Sequence, residues 1–320
     1  MPEVKEKTKK RLGILRGGAG EEYNSSLRKG GDFILHITEN LGDQYKVYDI
    51  LIDRDYVWHL GGVPINPGDL VTKIDVVWNF SHPSFSNILE SLGIPNIGAS
   101  AFSHSLKTSR EMLAEHMKSM NVSIPRHIVL PVYQKDFDPR YAKGSGEASG
   151  PREKYSIKKA KEVFEKFSSP WIVKSFTPDT SMAIHLAKTF PELVRAIEDG
   201  VEHEKSILVE EFIAGKVASI HSVPNFRNEE VYVFPLGNSF GIFSHDEKEK
   251  LISLTKDLHT HLGAEHYLQS QFILTPRGKV YLSDFDLNPD IKPDSHFSQV
   301  CESVGAKPHD VILHILEGAM

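Results

Sequence analysis

A short apolar run that breaks on glycines and leads into a polar helix sets the first constraint on this chain's fold. Leu12-Gly13-Ile14-Leu15 ends in Arg16-Gly17-Gly18-Ala19-Gly20. Strand, glycine turn and capped helix is how a βαβ unit opens. The spacing predicts a helix over 25–41, strands over 45–51 and 75–80, a helix over 86–92 and an extended piece over 94–98. Strand and helix therefore alternate through residues 1–98. That order favours an α/β layer built on a parallel sheet covered on both faces.

Beyond residue 98 the pattern changes. A helix is predicted over 108–120 and a strand over 126–130. Residues 133–154 collapse into Asp, Lys, Gly, Ser and Pro, and read as an insertion because the pattern resumes at once. Helices are predicted over 156–167, 191–200, 245–262 and 309–316. Strands are predicted over 171–174, 182–186, 207–213, 217–223, 230–235, 267–274 and 279–286. This remainder reads as α+β. The expected divisions are an N-terminal domain over 1–98, a central one over 99–213 and a C-terminal one over 214–320.

Composition narrows the function classes. A chain of 320 residues allows two or three domains at ~100–200 residues each. A formal net charge of −6 argues against a phosphate-tracking nucleic-acid surface. The single cysteine, Cys301, forms no internal disulfide. No stretch reaches the ~18 apolar residues of a membrane span. The charged start, Met1 to Arg11, precedes too brief an apolar run for a signal peptide. A cytoplasmic location without membrane or nucleic-acid partners is the expectation.

Four constellations have chemical content. The glycine turn at Gly17–Gly20, with Glu21 and Glu22 after it, lets backbone N–H groups approach a phosphate or carboxylate. The same turn is common where nothing binds. Lys174 ends an apolar strand before Ser175 and a polar segment containing Asp179, Thr180 and Ser181, which suits a phosphate clamp. An exposed lysine before a turn fits that pattern equally. Glu210-Glu211-Phe212-Ile213 follows an apolar run and can present a carboxylate and backbone to an adenine amino group, or simply end a strand. Asp284 and Asp286 share one strand face by the period-two rule, and Gln271 on the preceding strand reaches the same face. Paired carboxylates of this kind commonly hold Mg²⁺ against nucleotide phosphates.

Taken in order, these segments resemble the ATP-grasp superfamily, and within it the D-alanine–D-alanine ligases. Gly17-Gly18, Glu22 and Ser26-Leu27 fit that family's opening motif. Ile94-Pro95-Asn96-Ile97-Gly98-Ala99-Ser100 fits its "IPYTGS" crossing. Val173-Lys174 with Thr180-Ser181 fits "VKP…GSS", and Val209 to Gly215 fits the adenine hinge. Tyr281-Leu282-Ser283-Asp284-Phe285-Asp286-Leu287-Asn288-Pro289 fits "YLNEINTxPG". The resemblance implies an ATP-grasp fold, with a Rossmann-like parallel-sheet domain and two α+β domains enclosing the nucleotide. It implies an ATP-dependent carboxylate–amine ligase working through an acyl phosphate, in peptidoglycan biosynthesis, and a homodimer.

The resemblance also implies roles. Glu22 and Ser181 are catalytic. Lys107, Lys174, Thr180, Glu210, Glu211, Phe212 and Ile213 bind ATP. Gln271, Asp284 and Asp286 are the metal set, and Glu22, His82 and Ser295 meet the amino-acid substrate, with His296, beside Ser295, helping to hold a substrate carboxylate. The departures from the family pattern matter as much. Gln271 stands for a metal-binding aspartate, so the set suits one Mg²⁺ rather than two. Gln269 stands for the arginine that stabilises the tetrahedral intermediate, and Arg16, Lys216 and Lys292 are candidates to replace its charge. Asp179 stands for a loop glycine and Val217 for a ribose-contacting acid. A histidine loop is shortened to His82-Pro83-Ser84-Phe85, and a closing loop between Val223 and Phe234 is missing. The alternative reading is therefore a degenerate ATP-grasp protein that binds nucleotide or metabolite without turnover, in a regulatory or assembly role. The chain's histidines show no zinc-site spacing and read as surface or packing residues.

Overall fold

The computed structural model describes residues 9–134, 154–176, 182–236 and 241–320. The elements run β1 (Lys10–Gly17), α1 (Tyr23–Asn40), β2 (Tyr45–Ile52), β3 (Trp58–Leu60), β4 (Val63–Ile65), β5 (Val76–Asn79), α2 (Ser84–Ser91) and β6 (Asn96–Ile97). Then come α3 (Ala101–Thr108), α4 (Arg110–Ser119), β7 (His127–Leu130), α5 (Tyr155–Lys166), β8 (Trp171–Ser175) and β9 (His185–Ala187). The chain continues with α6 (Phe190–Glu202), β10 (Ile207–Glu211), β11 (Lys216–Pro224), β12 (Val231–Val233) and α7 (His245–His261). It ends with β13 (Leu268–Leu274), β14 (Val280–Asp286), α8 (His296–Ser303) and α9 (Pro308–Gly318). They form two compact units, one of residues 1–124 with 215–320 and one of residues 125–214.

The first unit holds two sheets. One has the order β4-β3-β2-β1-β5-β6. Its β2, β1, β5 and β6 run parallel, as the alternating sequence predicts. The β3–β4 hairpin adds an antiparallel edge that the sequence reading missed. Its signal was the Gly61-Gly62 turn, where both residues take positive φ. One face of the sheet packs Leu12, Ile14 and Trp78 against Phe33 of α1 and Phe297, Val311 and Ile312 of α8 and α9. The other packs Leu15, Ile50 and Val77 with Phe85 and Leu89 of α2.

The second sheet of this unit is antiparallel, in the order β12-β11-β13-β14. Burial alternates strictly along β13. One face carries Ala218, Ile220, Leu268 and Phe272 and packs on α7 and α4 through Leu251, Leu258, Leu113 and Met117. The opposite face carries Ser219, His221, Gln269 and Gln271, which pair in register as Ser219 with Gln271 and His221 with Gln269. This is the open face referred to below. A bulge interrupts the ladder between β13 and β14 at Gln271/Phe272, so Phe272 pairs with Leu282 but Gln271 pairs with Asp284. Ser283 is the extra residue.

The second unit is a four-stranded antiparallel sheet, β7-β10-β8-β9, covered by α5 and α6. Its core gathers Leu130, Val163, Trp171, Val173, Leu193, Ile197 and Val209. Two details differ from the sequence reading. The strand predicted over 182–186 is His185–Ala187. The helix predicted over 108–120 starts later, because Ser109 both ends α3 and caps α4 by accepting the Met112 N–H. Neither α3 nor α8 was foreseen. Both are eight residues long, and both start at a serine cap, Ser100 and Ser295, the signal that could have marked them.

Candidate functional site

The open face of the β11–β14 sheet concentrates the polar chemistry of the first unit. The bulge at Ser283 is fixed from two sides. Ser283 Oγ donates to the Gln271 carbonyl and to Gln271 Oε1 at 3.1 and 3.0 Å. The buried Arg110, first residue of α4, donates to the Ser283 carbonyl at 3.0 Å. Past the bulge, Phe285 turns into the core while Asp284 and Asp286 stand opposite Gln271 and Gln269. The structure thus brings Gln271, Asp284 and Asp286 together on one face.

The two carboxylates differ in their surroundings. Asp284 is exposed, its Oδ1 taking the N–H of Phe285 at 2.9 Å. Asp286 Oδ2 accepts from Lys29 Nζ at 2.8 Å, and Lys107 Nζ lies 3.4 Å from Oδ1. Burial alone would raise the Asp286 pKa, but Lys107 and Lys29 outweigh it and hold the carboxyl far below the usual range. Burial likewise works against the Lys107 ammonium, and Asp286, Asp284 and Glu22 together overcome it and raise its pKa. Lys29 lies in the middle of α1 and had no sequence signal. Arg110 was also missed.

The β1–α1 turn lies in the same unit. Gly17, Gly18 and Gly20 have φ of 91°, 92° and 94°. The Gly17 N–H donates to Ser26 Oγ at 2.9 Å, its carbonyl accepts from Ser81 Oγ at 2.8 Å, and the Gly18 N–H meets the Ile52 carbonyl at 2.7 Å. Glu22 stands at the N-terminal boundary of α1 without a side-chain capping bond, and is close enough to act on Lys107 and His104. His82 stacks edge-on against His104 with ring centroids 4.5 Å apart. Burial, with His82 beside it, depresses the His104 pKa. Ser295 caps α8, accepting the Ser298 N–H at 3.1 Å and donating to the Asp290 carbonyl at 2.6 Å.

None of the cations suggested for the Gln269 position approaches it through a described contact. Arg16 clasps Asp49 with two bonds of 2.7 Å, and Lys216 clasps Glu247 at 2.8 and 2.6 Å. Gln269 Nε2 instead donates to Ser219 Oγ at 3.0 Å. Beside it His221 is buried, with Nδ1 2.6 Å from the Tyr267 hydroxyl and Nε2 2.7 Å from His296 Nδ1. Burial pushes the His221 pKa down to about 3 and the Tyr267 pKa well above its ordinary value. Between β11 and β12 the chain turns tightly through Asn225, Arg227 and Asn228, all at positive φ, where the family pattern has a closing loop.

In the second unit, Lys174 on β8 and Glu210 on β10 are diagonal neighbours on one face, 3.0 Å apart. Glu211 is tied to Arg126, whose backbone N–H and Nε meet its two oxygens at 2.9 and 2.7 Å. The Glu211 and Phe212 N–H groups donate to the Arg126 and Pro170 carbonyls at 2.9 and 3.0 Å. The Phe212 ring is exposed and Ile213 half-buried. Asp179, Thr180 and Ser181 lie outside the described residues, as does most of the 133–154 insertion.

A divalent ion fits only part of the open face. No group of three or more His, Cys, Asp or Glu side chains among the described residues is arranged to hold one. The exposed Asp284 suits one Mg²⁺ completed by phosphate and water oxygens, whereas the oxygens of Asp286 are already engaged by two lysines and two backbone N–H groups.

No family model matches the chain. It is 22% identical to a D-alanine–D-alanine ligase of Geotalea uraniireducens, over 99% of this chain and 97% of that one. It is 24% identical to one from Geobacter sulfurreducens, over 87% of this chain and 84% of that one. Among solved structures, a D-alanyl-alanine synthetase A from Vibrio cholerae aligns with TM-score 0.67 and 16% identity, covering 98% of both chains. The D-alanine–D-alanine ligase of Bacillus anthracis complexed with ATP aligns with TM-score 0.63 and 16% identity, covering 97% of both chains. The chain has the fold of these ligases and resembles them over nearly its whole length.

Proposed function

We propose that this chain is an ATP-dependent carboxylate–amine ligase, a divergent counterpart of the D-alanine–D-alanine ligases to which it is similar over almost its full length. One observation carries the reading. In a chain of this fold, Asp284 and Asp286 stand opposite Gln271 and Gln269 on the open face of an antiparallel sheet, with Lys107 and Glu22 in reach.

The roles follow from the chemistry of the groups. Lys174 and Lys107 supply ammonium charge to phosphate oxygens, and Glu210, Phe212 and Ile213 belong to the adenine side, with Glu211 locking that strand end to Arg126. Thr180 and Ser181 complete the phosphate contacts. Glu22 holds the ammonium of the first amino acid, and His82 borders the same substrate. Ser295 serves the substrate side through α8, whose first turn it caps. Asp284, assisted by the side-chain oxygen of Gln271 opposite it, would hold one Mg²⁺, which supplies charge neutralisation to the phosphates when bound. Gln269 offers an amide N–H where the family has a guanidinium. A neutral donor stabilises developing negative charge less than a cation does, which predicts a slow ligase, on the order of 10²–10³ below a charged site.

The proposal extends to domain boundaries near residues 98 and 213, a cytoplasmic location and a homodimer. Among the described residues no helix is long and apolar enough to cross a membrane. Mass photometry of the purified chain tests the dimer.

The central experiment is ADP release with ATP and Mg²⁺, alone, with D-alanine, and with a panel of amino and hydroxy acids. Release that needs D-alanine and disappears in Lys174→Ala and Asp284→Ala supports the reading as stated. Release with another acid keeps the ligase and changes its substrate. No release with any acid overturns the ligase in favour of a nucleotide- or metabolite-binding role without turnover.

A further inference from the structure

Asp286 is the most heavily engaged carboxylate of the open face. Oδ2 accepts from Lys29 Nζ at 2.8 Å, and Lys107 Nζ lies 3.4 Å from Oδ1. Oδ1 also takes the N–H groups of Leu287 and Asn288 at 2.8 and 3.2 Å. A carboxylate oxygen offers about two lone-pair positions, so these donors fill Oδ1 and leave Oδ2 one position, directly beside the Lys29 ammonium. The two lysines come from different helices, α1 and the last turn of α3, and both helices are anchored in the packed core through Phe33 and Leu106. The cluster is therefore built by the fold rather than by chance meetings of surface chains.

Two ammonium groups carry the charge of one divalent ion. Placing a divalent cation on the same oxygens would set it beside both, at a separation where like charges strongly oppose each other. Neighbouring Asp284 has no such pair. The lysine side chains keep 33% and 22% of their surface exposed, so each ammonium retains N–H donors that can turn to an anionic oxygen.

We propose that Lys29 and Lys107 occupy at Asp286 the place of a second divalent cation, so that this chain binds its nucleotide with one metal ion, at Asp284. Two-metal phosphoryl-transfer sites set their ions ~3.5–4 Å apart to clamp the transferring group. Here fixed ammonium charge supplies one side of that clamp without any exchangeable ion. The inference rests on the ligase reading for the presence of a nucleotide.

Mn²⁺ binding read by electron paramagnetic resonance tests it, on the full chain with the non-hydrolysable β,γ-imido analogue of ATP. The wild type is expected to take one Mn²⁺ per chain, without Mn–Mn dipolar coupling. Lys29→Met/Lys107→Met is expected to take a second, coupled ion. Two coupled ions in the wild type, or a folded double variant that still takes one, overturns the proposal. If the double variant does not fold by circular dichroism, Lys29→Gln replaces it. That variant should tighten a second Mn²⁺ at least about tenfold, which is about 1.4 kcal/mol, and no tightening overturns the proposal. A fluorescent ATP analogue titrated with Mg²⁺ separates the two levels. Its failure to bind overturns the ligase reading and this inference together, whereas binding with two ions overturns this inference alone.

Discussion

Lys174 reaches Glu210 between the two central antiparallel strands of its sheet, 3.0 Å apart, with Glu210 buried and Lys174 partly exposed. The pair ties β8 to β10 at the residues assigned to phosphate and adenine, so it has a structural role before any nucleotide arrives.

Removing the lysine should therefore cost both stability and binding. Lys174→Met leaves the Glu210 carboxylate without this partner in a buried setting, and a loss of roughly 3 kcal/mol is expected. Urea unfolding of the purified variant measures it. An unchanged midpoint together with lost nucleotide binding would make Lys174 purely a ligand contact.

The two ends of the glycine turn should respond differently to a methyl group. At Gly17 a Cβ would lie 2.1 Å from the Ile52 carbonyl oxygen, on a backbone at φ of 91°. Gly17→Ala should lose roughly 2–4 kcal/mol. At Gly20 the backbone is equally left-handed but a Cβ meets nothing within 4 Å, so Gly20→Ala should lose only about 1 kcal/mol. Equal losses in thermal melts would contradict this steric account.

Acid should weaken the fold through its buried histidines. His221 has a pKa of about 3 in the folded chain and an ordinary value of 6.5 when unfolded. Above pH 6.5 both states are neutral there and nothing is lost. As pH falls from 6.5 towards 3, the unfolded chain takes up a proton that the folded chain refuses, and stability drops. The full window corresponds to the order of 5 kcal/mol. His259, pushed by burial to about 4, acts in the same direction. His221→Phe combined with Tyr267→Phe should flatten this acid limb in urea titrations run at several pH values. An acid limb as steep as that of the wild type would place the titration elsewhere.

Ser295 should behave as a cap. Its hydroxyl proton goes to the Asp290 carbonyl and its oxygen receives the Ser298 N–H. Ser295→Ala should cost about 1 kcal/mol and leave the KM for the amino acid little changed. A large rise in KM at unchanged stability would show that the hydroxyl turns to the substrate instead.

Much of the strand layout was legible because buried strands announce themselves by apolar runs, as at 12–15, 76–78 and 207–209. The Asp284–Asp286 pairing could be read from period two alone. What sequence did not carry was anything set by distant packing. Lys29 lies 257 positions from Asp286, in a stretch that only looks like a solvated helix. Arg110 appears as an ordinary helix-start residue until α4 buries it against the Ser283 carbonyl. The Tyr267–His221–His296 chain joins β11, α8 and the residue before β13, and no local spacing hints at it. Helices α3 and α8 were also missed, although α2, equally eight residues long, was read.

The extra residue at Ser283 works as a phase shift along β14. Upstream of it the even-numbered Val280 and Leu282 are core, and downstream the even-numbered Asp284 and Asp286 are not. One strand thus anchors and displays with the same parity, and its two duties are mechanically uncoupled. Deleting Ser283 would place Asp284 directly after Leu282 in unbroken alternation, so both carboxylates would keep the open face and Phe285 the core while the bulge and its contacts to Gln271 and Arg110 were lost. Side chains on the display side can be exchanged without disturbing the anchor, and what the extra residue adds is the local bend held by Gln271 and Arg110.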